Sequence, residues 1–485
     1  MIEDNKSLKK NAFSGFVWKL AERLGAQGVS LVVSIVLARL LLPEDYAVVG
    51  VVTIFFAFCN VLVSDGLSTA LIQKKNSDAI DYNTILFVSL GLSSLFYVIL
   101  FFTAPFIADI YEMPLVIPAI RVMGLTLIIN SFKSVLSAYV SSRLEFRQFF
   151  YSTIAANIFS AIVGIGMAIG GFGVWALIAQ QMSNSLMGTI VLFFTTKFKV
   201  KLIFSFNRLK SLFSYGWKIF VMNALSVLYD EINPMVVGLK FSSVDLSFYT
   251  KGKSFPSLIN TTISDTLSSV LFPVMSKLQD SKEAVLDITR KYIKVSTYLL
   301  FPIMLGFLAV SENFILLLLT DKWLPAVPYL QIFCLSYMVQ VIHVGNIQAI
   351  KAIGRSDICL IMEIIKKTLN FSIIAVFVFL SSSPVILALS SIVCNLVALI
   401  VNTFPNRKLI GYRYRMQIMD ILPNLIIAAI MCVIVLLMKN LPFAPIITMP
   451  LQIIAGIVIY FALSIITKNE NMSYLLKTLK QFVRR

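Results

Sequence analysis

Residues 82–108 read YNTILFVSLGLSSLFYVILFFTAPFIA, 27 consecutive residues without a Lys, Arg, Asp or Glu. A soluble core never needs so long an apolar run. A bilayer does: crossing a hydrocarbon layer about 30 Å thick at about 1.5 Å per residue takes about 20 residues. Working outward in both directions, further stretches of the same kind follow, separated by short polar loops. The spans read as 13–38, 46–72, 82–108, 114–140, 151–170, 174–196, 211–238, 255–276, 292–320, 326–350, 357–381, 384–405, 418–438 and 445–467. The expected fold class is an all-α integral membrane protein of about fourteen transmembrane helices.

Composition agrees. A chain that is 58% hydrophobic and 13% charged, with mean hydropathy +0.87, lies outside the soluble range. A net charge of +17 would point to nucleic acid in a soluble protein, but here it is read as topology and no nucleic-acid partner is expected. With the N-terminus inside, the inner segments hold more than four times as many Lys and Arg as the outer loops. That asymmetry predicts an even number of spans and both termini in the cytoplasm. Only the outer loop 239–254, with Lys240, Lys251 and Lys253, runs against it. No outer loop has room for an extracytoplasmic domain. Cys59, Cys334, Cys359, Cys394 and Cys432 show no metal or redox spacing and read as small buried hydrophobes. The first apolar segment is too long and too charged for a cleaved signal and is retained.

A weak internal repeat crosses the basic segment 197–210, KFKVKLIFSFNRLK. Residues 15–20, GFVWKL, resemble 214–219, SYGWKI; 37–39, LAR, parallel 238–240, GLK; Asp45 parallels Asp245. A constant offset near 200 makes spans 1–6 and 7–12 related halves, with a pseudo-axis along the membrane normal. The expected organisation is an N-lobe at 1–196, a basic cytoplasmic inter-lobe linker at 197–210 and a C-lobe at 211–405. Helices 13 and 14 occupy 406–467 as an addition, and 468–485 form an amphipathic cytoplasmic tail. In that tail Leu475, Leu476, Leu479, Phe482 and Val483 oppose Lys477, Lys480 and Arg484, as in an interfacial helix.

Function is sought among the charges inside the spans. Lys19, Glu22 and Arg23 share one helix face at i, i+3, i+4, and Lys218 takes the equivalent place in span 7. Span 11 carries Glu363, Lys366 and Lys367, and span 4 carries Arg121 and Lys133. Each cation costs roughly 2.5–3.5 kcal/mol at a helix centre, so seven facing lipid would be prohibitive. They line a wet cavity, pair internally, or snorkel to the headgroups; for Lys19 and Lys218 snorkelling is an even alternative. Asp65 and Asp265 are candidates for proton or sodium coupling, or equally for pairing with a nearby cation, as are Glu22 and Glu363. His343 reads as a packed, hydrogen-bonded helix residue. No cofactor and no metal site is expected.

An excess of buried cations flanked by Gln27, Ser30, Ser34, Asn60, Asn130, Asn157, Asn223, Asn395 and Asn402 suits a large, anionic, hydroxyl-rich cargo. Sugar hydroxyls left unpaired in lipid each cost several kcal/mol, so a glycan needs a wet groove to cross. Phosphates would meet Lys and Arg as charge-assisted acceptors.

Four motifs give the chain a family likeness: 37–46, LARLLLPEDY; 143–147, RLEFR; 271–280, LFPVMSKLQD; and 323–328, WLPAVP. In their order and spacing the chain resembles the polysaccharide transporter family of bacterial flippases, within the multidrug/oligosaccharidyl-lipid/polysaccharide exporter superfamily. The resemblance implies two six-helix lobes around a central cationic cavity with alternating access. It also implies a cargo of undecaprenyl-diphosphate-linked oligosaccharide, moved across the bacterial inner membrane for O-antigen, capsule or exopolysaccharide assembly. A polysaccharide polymerase or other assembly machinery is the implied partner, beside membrane lipid. Ala47 stands where the family usually has Gly.

Two other functions compete. An ion-coupled multidrug exporter of the same fold would want a less cationic cavity. A membrane glycan polymerase would want a long catalytic outer loop, and no such loop exists. The chain is therefore expected to be a transporter, not an enzyme.

Overall fold

The computed structural model describes residues 22–472 apart from 24, 62, 64–67, 69, 70, 73, 75, 76, 144, 146 and 197. The side chains of 214–216, 218, 219, 265–274, 276, 277, 356 and 440 lie outside that description. Lys19, Asp65 and the 473–485 portion of the tail therefore fall outside the described residues, as do the Lys218 and Asp265 side chains.

Among the described residues the chain is helical throughout, with no strand. The first helices are α1 (Gly25–Leu40), α2 (Pro43–Asn60), α3 (Ala79–Ile110), α4 (Val116–Ser142), α5 (Arg147–Ile169), α6 (Val174–Thr195), α7 (Phe206–Lys240) and α8 (Ser243–Lys277). They are followed by α9 (Lys282–Phe314), α10 (Val327–Ala352), α11 (Ser356–Leu380), α12 (Pro384–Thr403), α13 (Tyr414–Leu437) and α14 (Pro445–Ile466). Among the described residues, nine are long and apolar enough to cross a membrane: α3 to α6, α9, α10 and α12 to α14. The others are shorter or more polar. The apolar helices leave large side chains uncovered, such as Phe102 at 76% and Phe106 at 68% exposure on α3. Such faces suit a hydrocarbon surround, in which every backbone group must find its partner within the helix.

Helix starts follow local chemistry. Asp78 caps α3 by accepting from the Asp81 N–H at 3.0 Å, while Asp81 accepts from the Asp78 N–H at 3.1 Å. That backbone bond, with Arg208 nearby, holds the Asp78 carboxyl below the usual carboxylate range. In the motif at 37–46, Pro43 opens α2 with its pre-set φ, and Asp45 accepts from the Leu42 N–H at 3.0 Å. Asp245 has the same place at the start of α8, where Ser242 Oγ accepts from its N–H at 3.0 Å and donates to its carboxylate at 2.7 Å. The two aspartates at the repeat offset thus hold the same helix position, Asp45 bonding the backbone and Asp245 the hydroxyl of Ser242, which opens the helix. Asp45→Ala is expected to cost about 1 kcal/mol, read as a lower unfolding midpoint of the detergent-solubilised protein. An unchanged midpoint would remove the cap from the account.

This cap corrects the reading of 239–254 as an outer loop. Helix α8 starts at Ser243, so the connection is the two residues 241–242, and Lys251 and Lys253 are helical. The apolar run alone had put the span at 255–276; the helix begins a dozen residues earlier because its N-terminus is capped there. Lys251, 6% exposed, lies 5.5 Å from the Trp323 ring.

Packing divides the chain into two units, Met1–Ser247 and Phe248–Arg485. In the first, α5 and α6 pair closely, α4 lies on α3 and α6, and α7 packs on α2 and α3. The basic segment at 197–210 is strapped to α3. The Lys201 N–H donates to Asn83 Oδ1 at 2.8 Å and the Ser205 N–H to Thr84 Oγ1 at 3.2 Å. Phe198 closes a ring cluster with Tyr82 and Tyr139, and Arg208 reaches Asp78 at 3.3 Å.

In the second unit α9 packs on α10, α13 and α14, and α12 on α10 and α11. The last two helices are bound to α9 by buried polar contacts. Arg290 grips Asp420 of α13 with two bonds of 2.7 and 2.8 Å, Tyr412 donates to the same carboxylate at 2.9 Å, and Lys294 Nζ lies 3.5 Å away. Asn424 donates to Thr297 at 2.9 Å, and Asn313 of α9 donates to Gln452 of α14 at 2.9 Å.

Candidate functional site

Helix periodicity builds a polar track inside the first unit. Thr126, Asn130 and Lys133 share one face of α4, and Thr153, Asn157 and Ser160 share one face of α5, each at i, i+4, i+7. At one level of this track the groups are charged. Thr153 donates to Glu22 Oε1 at 3.0 Å, and Glu22 and Lys133 interact electrostatically. Lys133 fits because residue 188 has no side chain: a Cβ on Gly188 would stand 3.0 Å from Lys133 Nζ. Ser152 of α5 donates to the Gly188 carbonyl at 2.7 Å and fixes that approach.

One helical turn along α6 from Gly188 the chemistry becomes neutral. A cavity of about 370 Å³ opens among Ser30, Asn157, Ser160, Gln180, Gln181 and Asn184. Asn184 donates to Asn157 Oδ1 at 2.8 Å and to Ser160 at 3.3 Å. A second cavity of about 160 Å³ shares Gln181 and Ser185 with the first and continues past Asn60, Asn130 and Thr126. Asn130 donates to Asn60 Oδ1 there at 3.3 Å.

The remaining candidates separate. Arg23 is half-buried just ahead of α1 and engaged with neighbouring groups. Arg121 stacks over the Phe101 ring at 4.3 Å, away from the Glu22–Lys133 level, and its buried Nε has no hydrogen-bond partner among the described residues. In the second unit Lys366 forms an ion pair with Glu363, and Lys367 is half-buried. His343 contacts Asn395 Oδ1 at 3.2 Å and Asn402 at 3.4 Å, inside a buried amide network that includes Ser336. Among the described residues no cluster of His, Cys, Asp or Glu could hold a metal ion.

Sequence reasoning named Ser30, Asn60, Asn130 and Asn157 but missed the α6 wall. Its signal was present: 180–185, QQMSNS, puts five polar residues into six in the middle of an apolar helix. It also passed over Arg290, Lys294 and Asp420, which sit at the edges of the apolar runs that begin at 292 and 418, where charged side chains ordinarily reach water.

Residues 36–328 match the family model described as "Polysaccharide biosynthesis protein". The chain belongs to this family. Among curated relatives, it is 24% identical over 66% of its length to the succinoglycan biosynthesis transport protein ExoT of Rhizobium meliloti (strain 1021). It is 23% identical over 70% to the lipopolysaccharide biosynthesis protein WzxC of Escherichia coli (strain K12), and 21% identical over 73% to the teichuronic acid biosynthesis protein TuaB of Bacillus subtilis (strain 168). The matches span 65%, 69% and 73% of those three proteins. Among solved structures, the lipid II flippase MurJ in an inward closed conformation superposes with a TM-score of 0.74 at 13% identity, over 94% of this chain and 99% of that one. An inward-facing multidrug resistance MATE transporter superposes at 0.62 and 13% identity, over 81% of this chain and 95% of that one. At such identity these two likenesses show the fold alone, an all-helical architecture that this chain shares with them.

Proposed function

We propose that the protein is a flippase for undecaprenyl-diphosphate-linked oligosaccharide, working by alternating access in the bacterial cytoplasmic membrane during surface polysaccharide biosynthesis. The observation that carries this reading is the polar track of the first unit, which sets a half-buried cation, Lys133, one helical turn from an amide-lined cavity. A lipid-linked glycan has the matching order of groups: diphosphate first, then hydroxyl-rich sugar. Membership of a polysaccharide biosynthesis family supports it, as do relatives named for succinoglycan transport and for lipopolysaccharide and teichuronic acid biosynthesis.

Both termini belong on the cytoplasmic side in this reading, and a polysaccharide polymerase or assembly complex is the expected consumer of the product. The protein moves its cargo without making or breaking a covalent bond, so it is not an enzyme. A drug exporter of the same fold, carrying lipophilic cations, fits less well, because the residues lining the two cavities include no carboxylate.

The test is surface polysaccharide in a deletion strain with the plasmid-borne gene as control. Loss of surface glycan with lipid-linked repeat units retained in the cytoplasmic leaflet is the expected result. Normal glycan with raised sensitivity to lipophilic cations would replace the flippase by the drug exporter.

A further inference from the structure

The amide cavity has a chemistry that narrows its occupant. Its lining polar groups are neutral, and each amide offers both donors and acceptors. Asn157 and Asn184 spend part of that capacity on each other and on Ser160. The side chains of Ser30, Gln180, Gln181 and Ser185, by contrast, make no hydrogen bond among the described residues, so their groups are left to whatever fills the space. Lipid tails are excluded, since burying unpaired amides against hydrocarbon is costly. A free phosphate would want a cation in the wall, and Lys133 stands a turn away, beside Glu22. A metal would want carboxylates or imidazoles, and the lining has neither. What remains is a neutral group whose hydroxyls donate and accept at once. At about 370 Å³ the space falls within the size range of small-ligand sites.

We infer that this cavity is a sugar subsite, in which Gln181, Asn184 and Ser185 read hydroxyls of the glycan headgroup while the diphosphate lies towards Lys133. The inference rests on the flippase reading and adds to it the place where the first unit senses carbohydrate. A sugar bound there takes up the hydrogen-bonding groups of Gln180, Gln181 and Ser30 in place of water. Each such bond is worth about three- to tenfold in affinity.

The experiment compares two probes on the full-length protein in lipid nanodiscs: undecaprenyl diphosphate, and the same lipid carrying one N-acetylhexosamine. The wild type is expected to bind the sugar-bearing lipid more tightly. Gln181→Leu and Asn184→Leu should bring the two affinities together while leaving the sugar-free lipid unchanged. Ser185→Ala, a smaller change, should lower the sugar preference by a few-fold and serves if either leucine variant fails to fold. A wild type that binds both lipids equally, or variants that keep the preference, would overturn the subsite and leave the flippase reading standing. Binding of neither lipid by folded protein would overturn both. Titration of NaCl into protein held in choline buffer provides the other arm. Sodium binding that is lost in Asn184→Leu while the sugar preference persists would make the cavity a cation site and overturn the inference.

Discussion

Lys133→Ala is expected to abolish surface-glycan export in the complementation assay, with the protein still present in the membrane at near-normal amount. Lys133 lies in the middle of α4, interacts with Glu22, and occupies a space that Gly188 leaves open. Two roles fit those facts. It balances a buried carboxylate, or it supplies the cation that meets the diphosphate. The double variant Glu22→Gln/Lys133→Met separates them, because it removes both charges and keeps roughly the same shapes. A merely structural pair replaced by neutral groups is close to neutral in stability, so export would return. A cation used on phosphate stays missing, and export stays off. Lys133→Arg should not rescue, since a guanidinium is larger than the ammonium and the α6 backbone at Gly188 leaves little room for it. Wild-type export by Lys133→Ala would remove this residue from the transport path.

The second large effect is on stability. Asp420→Ala should destabilise the protein by about 3 kcal/mol, at the lower end of what breaking a buried ion pair costs. Its carboxylate is 3% exposed and is the shared acceptor for Arg290, Tyr412 and Lys294. Removing it leaves the buried Tyr412 hydroxyl without that partner and loosens α13 from α9. Burial already pushes the Tyr412 phenol up, with the neighbouring Asp420 charge adding to it, so the hydroxyl remains a donor at all physiological pH. The readout is the thermal unfolding midpoint of purified protein, together with protease sensitivity in the loop before α13. Arg290→Lys should lie between wild type and Asp420→Ala, because an ammonium cannot repeat the two-pronged grip. An unchanged midpoint in Asp420→Ala would mean that α13 is held by its other contacts, apolar packing and the Asn424 bond to Thr297.

How much of this was legible depends on the signal involved. Helices such as α3 and α14 were readable because hydropathy is a local property and no neighbour is needed to see it. The start of α8 was not, because the Ser242/Asp245 cap outweighs the polar residues that follow it, and a window of hydropathy averages the cap away. The α6 wall of the cavity was visible in QQMSNS but went unread, since attention went to charges, while amides carry the chemistry there. The proximity of Glu22 to Lys133 and the grip of Arg290 on Asp420 join residues more than a hundred positions apart. No periodicity within one helix can announce such a meeting.

The division of the molecule at Ser247 has a mechanical consequence. The chain passes from one packed unit to the other within α8, four residues after its start, while the basic segment at 197–210 is fastened to α3 inside the first unit. A loop at such a junction would leave its backbone groups to find partners elsewhere; a helix satisfies them within itself. Compliance along that helix is concentrated where its ladder of backbone bonds is interrupted, at Pro256, a turn beyond Gly252. Gly252, already in the second unit, is itself pressed against backbone of that same unit, where a Cβ would stand 2.8 Å from the Ala326 carbonyl oxygen and 2.9 Å from the Leu330 nitrogen. The helix is therefore clamped just past the junction, and a bend at Pro256 is borne by the far side of the clamp.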